Sequence, residues 1–504
     1  MNGLRAQVWP GMAVALALSG LTVGLAAPEA QVWNYALLEG GMLQDECLIC
    51  GRPPIRVPLR GTFQLRLVDQ NPLWRTYALD NISFAGGAPP GAQYKVAGQG
   101  TYTVSGEVAL MQQMFLEVWI DDGRTNQLCY FTNDVPSVDR PWPMLNATLN
   151  QTNGPLIQTF TLWLPAAPLR EIWFSTGVGI LAGIWQPPTN FVSPGDLLGA
   201  FIGLAPTGRV VRMNGELTGH LGIMPVAPDL GLAAVDVLPG GEIAFASGQD
   251  VFSESLGELW HGDLLSDRGR IVKRNQDLTQ AFLILPPVPD VGLDGVQVLD
   301  SGEIYFSIQT DITTGTGAVL HHGDLLSDAG RVVKSNQELL ARFHPAKTNY
   351  DYGLDAFYVW PSGEVWFSTK EGFSDQLLVF VQDGDLLSDQ GYVVYRSVEL
   401  VSGFEPQAFL ANYGLDALFV VSDAVPLPSL AAASPTRFVE ISPHRDTGNV
   451  TLQWQGYGRV FQVERAANPA GPYFPLSPLL PDVQFEDAGA LNLLPQACYR
   501  LRQW

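Results

Sequence analysis

Acidic side chains recur at fixed intervals through the middle of this sequence, and they are its best candidates for chemistry. Asp294, Asp355 and Asp416 stand 61 residues apart in Gly-Leu-Asp triplets, with Ala233 in the preceding position. Glu171, Glu242, Glu303 and Glu364 each open an apolar run such as Glu364-Val-Trp-Phe-Ser368, and Asp196, Asp263, Asp324 and Asp385 follow glycine in Gly-Asp-Leu-Leu. Where equivalent residues lie at equal radius about an axis, a phase that faces inward gathers three or four carboxylates, which repel one another unless a cation sits among them. Ca2+, with its preference for roughly six to eight oxygen ligands, is the cofactor expected there. Water activated by such a metal would make the protein a Ca2+-dependent hydrolase of lactonase type. The competing reading is mechanical. Asp and Glu beside Gly are turn residues, and side-chain oxygens that cap backbone N–H groups repeat at the same period for folding reasons alone.

Other residues offer less. His261 and His322 share a phase just before Gly-Asp, but Pro194 and Asp383 replace them in the other copies, the mark of a tolerant loop rather than a required base. The Asp385–Gly391 loop lacks the ligand order of an EF-hand, and no Gly-x-Ser-x-Gly elbow, His-Glu-x-x-His helix, Walker loop or dinucleotide fingerprint occurs. Trp173, Tyr305 and Trp366 share one strand phase with Ala244; they read as core packing or, alternatively, as a face on which a sugar stacks. Asp121-Asp-Gly123 reads as a hairpin turn rather than a metal site.

A repeat must position these acids. Gly-Leu-Asp/Ala begins at Gly231, Gly292, Gly353 and Gly414, and Gly-Arg/Tyr-Val/Ile-Val at Gly208, Gly269, Gly330 and Gly391, both with a 61-residue period. Each unit reads as four strands. In the copy from Gly292 these are Leu293–Leu299, Glu303–Ile308, Gly317–Leu326 and Arg331–Lys334, with a brief helical turn at Asn336–Leu339. The first copy, from Glu171, lacks a first strand, whereas Gly414–Val421 is a first strand with nothing after it. Joining them closes a four-unit β-propeller by strand exchange and removes its exposed sheet edges. An open stack of β units is the rival.

The 504 residues suggest about three domains. A net charge of −22 opposes phosphate backbones and anionic membrane surfaces, so nucleic acid is excluded as a partner and small cations are favoured. With 52 Gly and 37 Pro and only 15% charged residues, the composition favours short strands and tight turns over long helices. Arg5, the uncharged stretch Gly11–Ala27, and Gly24 and Ala26 read as a signal peptide over residues 1–26 cleaved near Ala26; a single N-terminal membrane anchor is the alternative. No later segment is long and apolar enough to span a membrane, so the expected location is secreted, cell-surface or periplasmic. Cys47, Cys50 and Cys129 supply a structural disulfide whose pairing stays open, and Cys498 stands apart.

Residues 27–167 alternate in stretches such as Phe63–Val68, Trp74–Leu79 and Phe115–Ile120, as a β-sandwich of all-β class would. The repeat covers 168–423, a Pro/Ala-rich linker 424–436, and a small β-sandwich 437–504. In that last module Thr451–Leu476, with "TLQWQGYGRVFQVERAANPAGPYFPL", and the later Cys498–Gln503 resemble the fibronectin type III-like modules that end many exported bacterial proteins. Gly-Leu-Asp-Ala, Gly-Glu-x-x-Phe-Ser and Gly-Asp-Leu-Leu are similar to the propeller-type repeats of exported proteins from environmental bacteria, a group without an agreed activity. The resemblance implies an exported, non-catalytic binding or surface-structural protein whose partner is an extracellular ligand, protein or polysaccharide.

Overall fold

A computed structural model describes residues 32–504 except 48, 107–109, 134–136, 155–157, 187–188, 226–228, 409, 411, 428–435 and 494–495. The expected signal peptide and most of the linker lie outside the described residues. Among the described residues the chain is all-β, 49% strand and 6% helix.

Where a two-sheet sandwich is expected at the N-terminus, the structure has one nine-stranded sheet that closes on itself. Its long strands alternate: in Met111–Asp121, Met114, Leu116, Val118 and Ile120 are buried while their neighbours are exposed or half-exposed. Closure depends on Ile55–Gln70, a strand of 16 residues. One side of it pairs with Trp74–Gly86, and the other pairs in turn with Met42–Cys47 and Val32–Leu37, both of which also pair with Gln158–Ala167. Gly61, at φ +143°, lets Trp74–Gly86 approach; a Cβ there would sit 2.1 Å from the Ser83 carbonyl oxygen. Buried aromatics, among them Tyr35, Phe63, Phe84, Phe131 and Phe160, fill the interior.

The repeat forms four sheets of four strands. Ala234–Val237, Leu293–Val298 and Phe357–Val359 each open a sheet formed within one unit. The fourth sheet is composite: Ala417–Val421 pairs along its length with Glu171–Ser175, Glu171 opposite Val421 and Ser175 opposite Ala417. These four opening strands touch one another in cyclic order, the last returning to the first. Small residues at one phase, Ala234, Gly295, Ala356 and Ala417, permit that approach; a Cβ on Gly295 would meet the Phe357 ring at 2.7 Å. Side chains sew neighbouring units together. Asp236 Oδ2 accepts from Val298 N at 2.7 Å and Gln297 Oε1 from Val359 N at 2.8 Å, one unit later. Lys273 pairs with Asp328 at 2.8 Å, and Lys334 with Asp389. Second strands bury Phe174, Phe245, Phe306 and Phe367, each contributing about 2 kcal/mol of apolar burial.

The third strand is shorter than expected. Leu325–Ser327 joins the sheet, while Ile312–Thr313 and Val319–Leu320 make a separate hairpin, because the His-Gly-Asp turn ends the run. The helical turn at Asn336–Leu339 is present, and its equivalents follow every fourth strand.

The C-terminal segment packs two three-stranded sheets over Leu452, Trp454, Phe461 and Val463. One apolar cluster joins all three parts, running from Ala36 and Leu38 of the barrel through the repeat to Val460 and Leu479. Asp423 anchors the junction: it accepts from Asn34 N, from the Arg170 guanidinium and from the Trp504 indole at 2.8–3.0 Å.

Candidate functional site

The Gly-Leu-Asp acids come together at the start of the opening strands. Asp294 is 3% exposed and lies 2.8 Å from Lys370 Nζ, contributed by the next unit. Burial drives the Asp355 carboxyl well above its ordinary range, and the charges of Asp416 and Asp294 push it further. Asp416 is pushed up to about 6, first by burial and then by Asp294. Asp383 adds to the repulsion on both, and Lys370 opposes it. This end of the axis is a partly buried carboxylate cluster with the Lys370 ammonium beside it and the His322 imidazole near Asp294. Oxygen-rich and net negative, it is chemically suited to a hard cation.

The other two acidic phases are not brought together. Each Glu is bound within its own sheet. Glu242 accepts from Ser266 Oγ at 2.5 Å and Arg270 Nε at 2.7 Å, and Glu303 from Ser327 and Arg331 at 2.5 Å. Glu364 takes Ser388 at 2.6 Å and Tyr392 at 2.5 Å, and Glu171 takes Arg209 and Trp173 at 2.7 Å. Asp196, Asp263, Asp324 and Asp385 are buried caps. One oxygen accepts from a backbone N–H three residues upstream, the other from the first residue of the helical turn, as Asp263 does with Trp260 N and Asn275 N and Asp385 with Gln382 N and Ser397 N. Asp196 and Asp324 make the same pair of bonds. Capping therefore accounts for the Gly-Asp phase.

A fourth phase, Asp229, Asp290, Asp351 and Asn412, lies outside the three acidic motifs and ties two of them together. Asp351 Oδ2 accepts from Gly323 N at 3.1 Å and Oδ1 from Gly353 N at 2.9 Å, joining Gly-Asp-Leu-Leu to Gly-Leu-Asp. Asp229 and Asp290 do the same with both oxygens, and Asn412 with one. The glycine is obligatory: a Cβ on Gly323 would lie 1.9 Å from Asp351 Oδ1. The signal is legible as an Asx two residues before each Gly-Leu.

At the far end of the axis the C-terminal module intrudes. Arg459 reaches the buried Asp236 at 3.3 Å and donates to Val237 O at 2.6 Å and Val298 O at 2.8 Å. A cavity of about 460 Å³ lies beside it, lined by Asp236, Tyr358, Trp360, Phe419, Arg459 and Trp504 among others. The aromatic phase supplies no stacking platform as a set: Trp173 and Trp366 are fully buried, their indoles donating to Glu171 and Glu364, and only Tyr305 is partly exposed. Cys47 pairs with Cys50, while Cys129 is a buried free thiol raised by burial to about 11.

No protein-family model and no curated protein matches the chain. Among solved structures it is similar to the extracellular domain of a hybrid two-component system from B. thetaiotaomicron, at 8% identity and a TM-score of 0.18 over 91% of this chain and 94% of that one. A likeness at that score bears on neither fold nor function. No helix among the described residues is long and apolar enough to cross a membrane.

Proposed function

We propose that this chain is an exported, non-catalytic binding protein: a four-bladed β-propeller that presents a Ca2+-loaded acidic face to an extracellular protein or polysaccharide. The observation that carries the reading is the gathering of Asp294, Asp355 and Asp416, whose charges raise the Asp355 and Asp416 carboxyls, with Lys370 2.8 Å from Asp294. A divalent cation would remove that repulsion and hold the opening strands together. The barrel and the C-terminal module support a platform role. One packs on the repeat through Tyr395 Oη and Leu37 O, 3.1 Å apart, and the other reaches the far end through Arg459. The Cys47–Cys50 disulfide suits an oxidising compartment.

Melting the chelator-treated protein with and without Ca2+ at neutral pH tests this. Binding at the cluster raises Tm, and the rise disappears in Asp355→Asn/Asp416→Asn. An unchanged Tm at millimolar Ca2+ opposes the proposal.

A further inference from the structure

Independently of the axial acids, we infer that the rim of the repeat carries a transition-metal site, with Zn2+ as its best-fitting occupant, made by Asp311, His321, His322 and Asp351. The hairpin Ile312–Leu320 makes it: Asp311 stands at its foot, and the return strand ends immediately before His321. His321 Nδ1 lies 3.0 Å from Asp311 Oδ2, and His322 Nδ1 lies 2.8 Å from Asp311 Oδ1 and 3.6 Å from Asp351 Oδ2. Two carboxylates are fixed in advance by backbone, Asp311 by His322 N at 2.8 Å and Asp351 by the N–H groups of Gly323 and Gly353.

A second cluster stands one period earlier, at Asp250, His261 and Asp290. His261 Nδ1 lies 2.7 Å from Asp250 Oδ1 and 3.1 Å from Asp290 Oδ2. One imidazole Nδ1 carries at most one proton and directs it at one acceptor, so a nitrogen flanked by two carboxylates has more acceptors than it can satisfy. A metal ion bonded to all of them resolves the mismatch. Tetrahedral Zn2+ with bonds of about 2.0–2.1 Å places its donor atoms roughly 3.3 Å apart, within the spread observed. Asp311, His321 and Asp351 set one donor atom each within 4.8 Å of one another, and His322 Nδ1, 2.8 Å from Asp311 Oδ1, adds a fourth donor beside them. One imidazole and two carboxylates at His261 leave a position open, so the second site is the weaker. The last unit has Gly372, Asp383 and Asn412 in these places and holds no imidazole. Imidazole donors also separate this chemistry from that of the all-oxygen axial cluster, which favours Ca2+.

The test titrates the intact, chelator-treated chain with Zn2+ by calorimetry and with Co2+ by visible absorption. One strong and one weaker Zn2+ site are expected, with Co2+ giving the intense d–d bands of a tetrahedral N/O site. His321→Ala/His322→Ala should weaken the strong site about tenfold or more while melting as the wild type does in chelator. Asp311→Asn, which keeps the shape of the side chain, should do likewise. Asp355→Asn/Asp416→Asn should leave the Zn2+ site intact, so failure of the Ca2+ reading does not remove this one. Absence of Zn2+ heat, or equal Zn2+ affinity in the wild type and the double histidine variant, overturns the inference and leaves the clusters as hydrogen-bonded hairpin ties.

Discussion

Lys370 Nζ sits 2.8 Å from Asp294 Oδ2 across the seam between two units, and it is the ammonium that lowers the cost of the carboxylates around it. Asp294 is buried while Lys370 is about one-third exposed, so the pair is worth less than a fully enclosed one. Lys370→Met should destabilise the metal-free protein by about 1–3 kcal/mol, measured by urea denaturation. The same change removes a competitor for the carboxylates, so Ca2+ should restore more stability to the variant than it adds to the wild type.

Asp416→Asn reports the same cluster through pH. The folded carboxyl is held near 6 against an ordinary 3.8, so between those values the native chain binds more protons than the unfolded one. Stability from this group is complete below 3.8 and is lost as pH rises through 6. In chelator, the Tm of Asp416→Asn relative to wild type should therefore be higher at about pH 7.5 than at about pH 4.5. A pH-independent difference would remove Asp416 from the cluster.

Gly323→Ala should be far more damaging than Gly215→Ala. The first places a methyl 1.9 Å from Asp351 Oδ1, while the second, within the helical turn Asn214–Thr218, meets nothing within 4 Å. We expect a loss of about 3 kcal/mol or more for Gly323→Ala and a change within about 1 kcal/mol, in the stabilising direction, for Gly215→Ala, both from urea melts.

Asp423→Ala cuts the junction of barrel, repeat and C-terminal module by removing the acceptor of Arg170, Asn34 and Trp504 at once. A loss of about 2–4 kcal/mol is expected, with faster proteolysis near the linker. Trp504 fluorescence should change in the same variant.

How much of this is legible in the sequence depends on where each signal lies. The period shows in Gly231, Gly292, Gly353 and Gly414, and the pairing of Ala417–Val421 with Glu171–Ser175 follows from two incomplete units at opposite ends of the array. The closed N-terminal sheet does not show, because a barrel and a sandwich each bury one face of every strand; the difference lies in the two-sided pairing of Ile55–Gln70. The three acidic phases look alike in sequence. Only Gly-Leu-Asp lies where the opening strands converge, while the Glu phase is bound by Ser, Arg, Tyr or Trp side chains of its own sheet and the Gly-Asp phase caps a turn. The rim histidines look dispensable because two units lack them, and their partners Asp250 and Asp311 return only through hairpins whose pairing the sequence does not announce.

Calorimetric titration of the chelator-treated full chain with Ca2+, beside Asp355→Asn/Asp416→Asn, tests the axial cluster most directly. A single saturable site in the wild type and none in the variant is predicted; no binding heat, or the same heat in both, would contradict it.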